Sequence, residues 1–169
     1  MADVYGQFLR WTVTESAAGT LTEGNAIQTG AQSRLSGGGF LALEVHQIVG
    51  SLTIPTDAVA ANATEQVIGT VSTRSSLAAH PTLNDEHCIY RSVIQVRGTT
   101  ATYLPVYALI KDMPPVTNFR PPLLVSHKSL YPYVSSSSAG DAMSFNGYIF
   151  YNYVDVSGEL AVEALEAFR

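Results

Sequence analysis

The sequence predicts an all-β protein, an antiparallel sandwich or jelly roll of about eight strands closed by one short C-terminal α-helix. Two observations carry this. Apolar and polar residues alternate in run after run, with clusters of Gly, Pro, Ser and Asn between the runs. Helical periodicity stands out once, at the very end, so the regularly spaced helices of a parallel α/β fold are missing. At 169 residues the chain is most simply one domain with its own core, read as a sandwich over residues 1–156 and a helix over residues 157–169.

The first strand is "FLRWTVTES", where Leu9, Trp11 and Val13 point one way and Arg10, Thr12 and Thr14 the other. The turn-rich stretch after it, to Gly39, reads mostly as loop, with room for one short strand near Leu21 or Ile27. In "FLALEVHQIVGSLTIP" Leu41, Leu43 and Val45 share a face opposite Ala42, Glu44 and His46, with an end expected near Gly50 or Pro55. "TDAVAANATE" is a connection with at most a helical turn, and "QVIGTVSTRS" a strand with Gly69 between Val67 and Val71. "CIYRSVIQVRG" and "TYLPVYALIKD" form a hairpin in which Pro105 implies an edge or a bulge.

"MPPVTNFRPP" reads as a proline-stiffened connection, followed by "LLVSH" and "SLYPYVSS" as two short strands or one broken one. The last strand, "AMSFNGYIFYNYVDV", is apolar on both faces: Phe145, Ile149 and Tyr151 on one, Tyr148, Phe150 and Val154 on the other. Such a strand is covered on both sides, by a second sheet or by a partner. In "SGELAVEALEAFR", Leu160, Ala164, Leu165 and Phe168 fall on one helical stripe, with Ser157 as the cap and Glu159 at the positive end. Three turns are marginal alone in water, so this segment docks on its own domain or on a neighbour.

Composition narrows the function. Only 14% of residues are charged, against about 25% in ordinary domains, and two of them are lysines, Lys111 and Lys128. A surface poor in Lys and Glu suits burial against other subunits. The net charge is −5 and the basic residues are scattered singly, which disfavours direct nucleic-acid binding. No apolar run approaches the ~18–20 residues of a membrane span, and "MADVYGQFLRW" lacks the pattern of a secretory signal. Cys88 is the single cysteine, so neither an intrachain disulfide nor a multi-cysteine zinc site is available.

Catalytic signatures are missing as well. "HPTLNDEHC" holds His80, Asp85, Glu86, His87 and Cys88 without a recognised ligand spacing, and a polar loop entering a strand explains it better. His46 and His127 are isolated, and Ser126 beside His127 lacks the orienting acid of a triad. There is no nucleophile elbow, P-loop or dinucleotide fingerprint, and "SGGG" reads as a flexible turn. "NAT" at 62–64 fits a glycosylation sequon that a chain without a secretion signal does not use. We therefore expect no enzyme, no cofactor and no metal.

From "PPLLVSHKSLYPYV" through "GYIFYNYVDVSGELAVEALEAF" the chain resembles small single jelly-roll capsid proteins of icosahedral viruses, of the type found in environmental viral sequences. The shared pattern is a proline-led strand, an "LYLYV"-like strand, a flexible tip, a tyrosine-rich strand and a short acidic helix. "RWTVTESAAGTLTEG" is similar in style. The resemblance implies two four-stranded sheets whose flanks meet in pentamers or hexamers, with termini and loops clasping adjacent subunits. It also implies a virion protein assembled in the host cytoplasm, partnered by copies of itself with or without a second capsid protein. One departure is plain: the first nine residues contain no Lys or Arg, so the basic genome-binding arm of small RNA-virus shells is missing. Tailless viruses with an internal membrane, built from upright single jelly rolls, are the better likeness. The expected subunit interface comprises Tyr148, Tyr151 and Tyr153 on the last strand and Leu160, Leu165 and Phe168 on the terminal helix. The competing readings are a carbohydrate-binding β-sandwich, which would use the tyrosines as a sugar platform, and a virion decoration or fibre protein.

Overall fold

The computed structural model describes residues 7–32, 39–55, 63–98, 105–137 and 141–157, with residues 98 and 105–111 described by their backbone only. Among these, ten strands form two antiparallel sheets, packed as a sandwich, and no helix occurs. In chain order they are β1 (Gln7–Thr14), β2 (Thr22–Glu23), β3 (Ile27–Gln28), β4 (Phe40–Thr53), β5 (Thr64–Ser72), β6 (Cys88–Gly98), β7 (Pro105–Asp112), β8 (Val116–Val125), β9 (Ser129–Ser136) and β10 (Ser144–Val156). One sheet runs β1-β10-β4-β8; the other runs β2-β9-β5-β6-β7, with β3 also on β9. The expected helix over residues 157–169 lies, from residue 158 onward, outside the described residues, as does most of the "TDAVAANATE" connection.

The alternation of β1 sets its orientation: Trp11 and Val13 are buried in the core while Arg10, Thr12 and Thr14 are exposed. Facing them, β5 contributes Val67 and Val71, β6 contributes Ile89 and Tyr90, and β9 contributes Leu130 and Val134. Three aromatic rings fill the middle. Phe145 lies 5.3 Å from Trp11 and stacks at 6.1 Å on Tyr90, with their planes 4° apart. Glycines make the room. A Cβ at Gly69 would sit 2.6 Å from the Phe145 ring, and one at Gly50 would sit 2.6 Å from Tyr90. A strand glycine here marks close approach of a ring to the backbone.

Four features differ from the sequence-based expectation. β4 ends at Thr53, close to the Pro55 end of the expected range, but it is not the regular strand the alternation implied. It carries a bulge, since Gln47 pairs with Phe150 and Val45 with Tyr151, leaving His46 as the extra residue. The inward set therefore changes phase, from Leu43 and Val45 to Ile48 and Gly50. Second, "VTNFRPP" belongs to β8, not to a connection. Its prolines sit where the register with β4 breaks, between the Val45–Leu123 and Gln47–Asn118 pairs, on the sheet edge where a missing N–H is tolerated.

Third, the segment before Gly39 holds two short strands, not one, both paired along β9. Fourth, ten strands occur among the described residues, where about eight were expected. The β6–β7 hairpin matches the reading of Pro105: β7 is an edge strand, and the register shifts beside the Gly98–Pro105 pair.

Candidate assembly surface

The two sandwich faces are dressed differently. On the β2-β9-β5-β6-β7 sheet, residues 73–87 form a strap across the outer face. His80 fastens it, with Nδ1 bonded to Thr70 Oγ1 at 2.9 Å and Nε2 to Ser135 Oγ at 2.8 Å. Arg91 donates to the Pro81 carbonyl at 2.7 Å and pairs with Asp112 at 2.6 Å. The Tyr133 hydroxyl lies 2.8 Å from Glu23 Oε2 and 2.9 Å from the Arg74 carbonyl. Burial, reinforced by the Glu23 bond, pushes the Tyr133 phenol up.

The residues of "HPTLNDEHC" thus have separate duties. His80 holds the strap, and burial followed by the Arg91 charge lowers it to about 4. His87 Nδ1 is 3.2 Å from Thr73 Oγ1, and Asp85 accepts from the His87 amide. Cys88 is buried, its thiol pushed up to about 12 chiefly by that burial. Among the described residues, no three His, Cys, Asp or Glu side chains gather as metal ligands would.

The outer face of the β1-β10-β4-β8 sheet carries an exposed aromatic patch set among polar side chains. Cross-strand register builds it in rows. Arg10 lies beside Tyr148, Tyr148 beside Val49, and Val49 beside Val116. In the next row Phe8 meets Phe150, Phe150 meets Gln47, and Gln47 donates to Asn118 at 2.7 Å. Phe8 is 60% exposed, Val116 50% and Tyr148 39%. Phe8 and Tyr148 meet edge to face at 5.8 Å, and Phe150 tilts toward both, at 6.3 Å from Phe8 and 6.4 Å from Tyr148. Past the His46 bulge the same face carries an apolar cluster in which Phe40, Leu124 and Val154 pack against the buried Ala42 and Val156.

The sequence-selected tyrosines divide. Tyr148 lies in this open patch. Tyr153 is 38% exposed but tethered, donating to the Thr29 carbonyl at 2.7 Å beside Gly30, whose φ of +73° and missing side chain admit the phenol. Tyr151 is 4% exposed within the core, edge-on to Tyr153 at 5.1 Å, so it supports the domain and presents no surface to a neighbour. Leu160, Leu165 and Phe168 lie outside the described residues.

No family model matches this chain, and no curated protein matches it either. Phe8 and Val116 were not selected from sequence. The signal for Phe8 is present there: it is the apolar member of the otherwise polar phase of β1. Val116 was hidden by the prolines around it. Among the described residues no helix is long and apolar enough to cross a membrane.

Proposed function

We propose that this chain is a viral structural protein, a jelly-roll capsid subunit that self-assembles into an icosahedral shell. The carrying observation is the nesting of the strand pairs. β1 pairs with β10, β2 and β3 with β9, β4 with β8, and β5 with β6. A long hairpin rolled into two sheets would have this order, which supports the jelly-roll reading. Counting β2 and β3 as one interrupted strand and β7 as an addition to the β6 edge would reduce the ten strands to the eight of that architecture.

Fold alone does not settle function. What supports a shell role is the combination of this path with few charges, one strapped face and one face with an exposed aromatic patch. Tyr148 and Tyr153, with Leu160, Leu165 and Phe168 of the terminal segment, remain the proposed contacts, joined by Phe8 and Val116. The virion, assembled in the host cytoplasm, is the proposed location, and a second capsid protein is compatible with it.

Light scattering behind size-exclusion chromatography, with negative-stain imaging of large fractions, tests this. Closed particles or rings of subunits are expected. A monomer at every concentration and salt condition overturns self-assembly. The open Phe8–Tyr148–Phe150 patch also favours one second reading, a carbohydrate-binding module whose rings stack on sugar faces. Saturable binding in affinity electrophoresis, lost on removing Tyr148, is its signature.

A further inference from the structure

Sheet edges present unpaired backbone groups, and proteins guard them with short strands, prolines, lysines or bulges. Three of the four edges here are guarded in those ways. β2 and β3 are two residues each, β8 contains Pro121 and Pro122 at a register break, and β7 begins at Pro105 and carries Lys111. β1 is the exception. It is eight residues long, pairs with β10 without a register shift, and has neither proline nor lysine. Its single charge, Arg10, stands on the outer face, where it does not obstruct a neighbouring strand from the core side. Among the described residues, no strand pairs its other edge.

We infer that the β1 edge is a docking edge for β1 of a second copy of this chain, joined antiparallel across a two-fold axis into a continuous eight-stranded sheet. The inference rests on the self-assembly reading and specifies one contact within it. β1 is self-complementary in the sense a two-fold requires, because opposed residues of an antiparallel pair share a face. Core-facing residues must therefore oppose core-facing residues, which puts the axis through a residue position. An axis at Arg10 would oppose two guanidinium groups. An axis at Trp11 avoids this and gives the longest remaining overlap within the strand, with Leu9 opposite Val13 of the second copy, Arg10 opposite Thr12 and Phe8 opposite Thr14. That register places each exposed Phe8 beside the junction, so that the two aromatic patches flank it.

The test uses full-length chains carrying Arg10→Cys or Thr12→Cys. Both positions are exposed, and the native Cys88 is buried. Directly opposed antiparallel residues approach within disulfide range. Under mild oxidation, a mixture of the two variants should give a disulfide-linked dimer, and neither variant alone should. Crosslinking by Arg10→Cys alone or by Thr12→Cys alone overturns the Trp11-centred register. No crosslink in material that scattering shows to be oligomeric overturns edge pairing while leaving self-assembly standing. A crosslinked dimer that never grows larger upholds the edge and removes the shell. A strict monomer without crosslinks removes both.

Discussion

The indole of Trp11 occupies the space that a side chain on Gly147, its cross-strand partner, would need. The Val49 carbonyl closes the same space from the other side. A methyl group at 147 therefore meets backbone as well as a core ring, and neither yields cheaply. We expect Gly147→Ala to cost about 1–3 kcal/mol, the usual range for overpacking a tight site. Urea unfolding monitored by tryptophan fluorescence reads it directly. An unchanged midpoint would mean that β10 and Trp11 are not packed in this way.

Trp11 and its neighbours were legible because alternation of period two reports which face of a strand is buried, and β1 alternates cleanly from Leu9 to Thr14. β4 was legible only up to His46, since a bulge shifts the phase without leaving a mark in composition. The prolines of β8 suggested a connection because the signal for an edge strand with a register break is the same as that for a loop. The nested pairing could not be read at all: it joins Phe8 to Phe150 and Leu43 to Val125, across separations that no local pattern encodes. Tyr148 and Tyr151 looked alike for a related reason. Period two separates the faces of β10, but it does not reveal which face meets the second sheet.

The open patch predicts a separation of stability from assembly. Phe8→Ser with Tyr148→Ser removes exposed apolar surface and leaves the core untouched. Folding stability should change by no more than about 0.5 kcal/mol per site, as for surface substitutions generally. The mass measured by light scattering should fall toward that of the free subunit. A double variant that assembles like the wild type would exclude this face from the contacts.

Acid should loosen the strap. His80 titrates near 6.5 in the unfolded chain and at about 4 when folded, because burial and then Arg91 oppose its charge. Between those values the unfolded chain binds a proton that the folded chain refuses. The His80 contribution is thus complete above pH 6.5 and is lost as pH falls toward 4, amounting to about 2–3 kcal/mol by pH 4.5. His127, lowered by burial and then by His87, acts in the same direction. Urea midpoints at pH 7 and pH 4.5 should differ less in His80→Gln than in the wild type. An equal difference in both proteins would remove His80 as a source of acid lability.

At one end of the sandwich the buried Glu15 carboxylate ties three strands together. It accepts from the Ser136 amide at 2.6 Å, from Ser136 Oγ at 2.9 Å and from the Met143 amide at 2.7 Å, while the Glu15 amide donates to the Met143 carbonyl at 2.9 Å. A carboxylate only accepts, which matches three donors; a glutamine would turn an NH2 group toward one of them. Glu15→Gln should cost about 2–3 kcal/mol, in the range of hydrogen bonds to charged groups. Amide exchange at Met143 should speed up in parallel. Protection of Met143 equal to wild type would show that the strand end is held by other means.

The chain leaves β10 at Val156, which belongs to the apolar cluster on the outer face, and the terminal segment beyond it carries Leu160, Leu165 and Phe168 on one helical stripe of the sequence. Burying a Leu or Phe fully contributes roughly 1.5–3 kcal/mol, so three such residues offset the cost of ordering a short tail. In a symmetric shell that contribution recurs at every equivalent contact. Deleting residues 157–169 should leave a folded domain, with its urea midpoint within about 1 kcal/mol of the wild type in stability, that assembles poorly. Wild-type particles from the truncated chain would eliminate the segment as an assembly clip. A large loss of stability would show instead that it covers the cluster of its own domain, leaving the open aromatic face and the β1 edge to carry assembly.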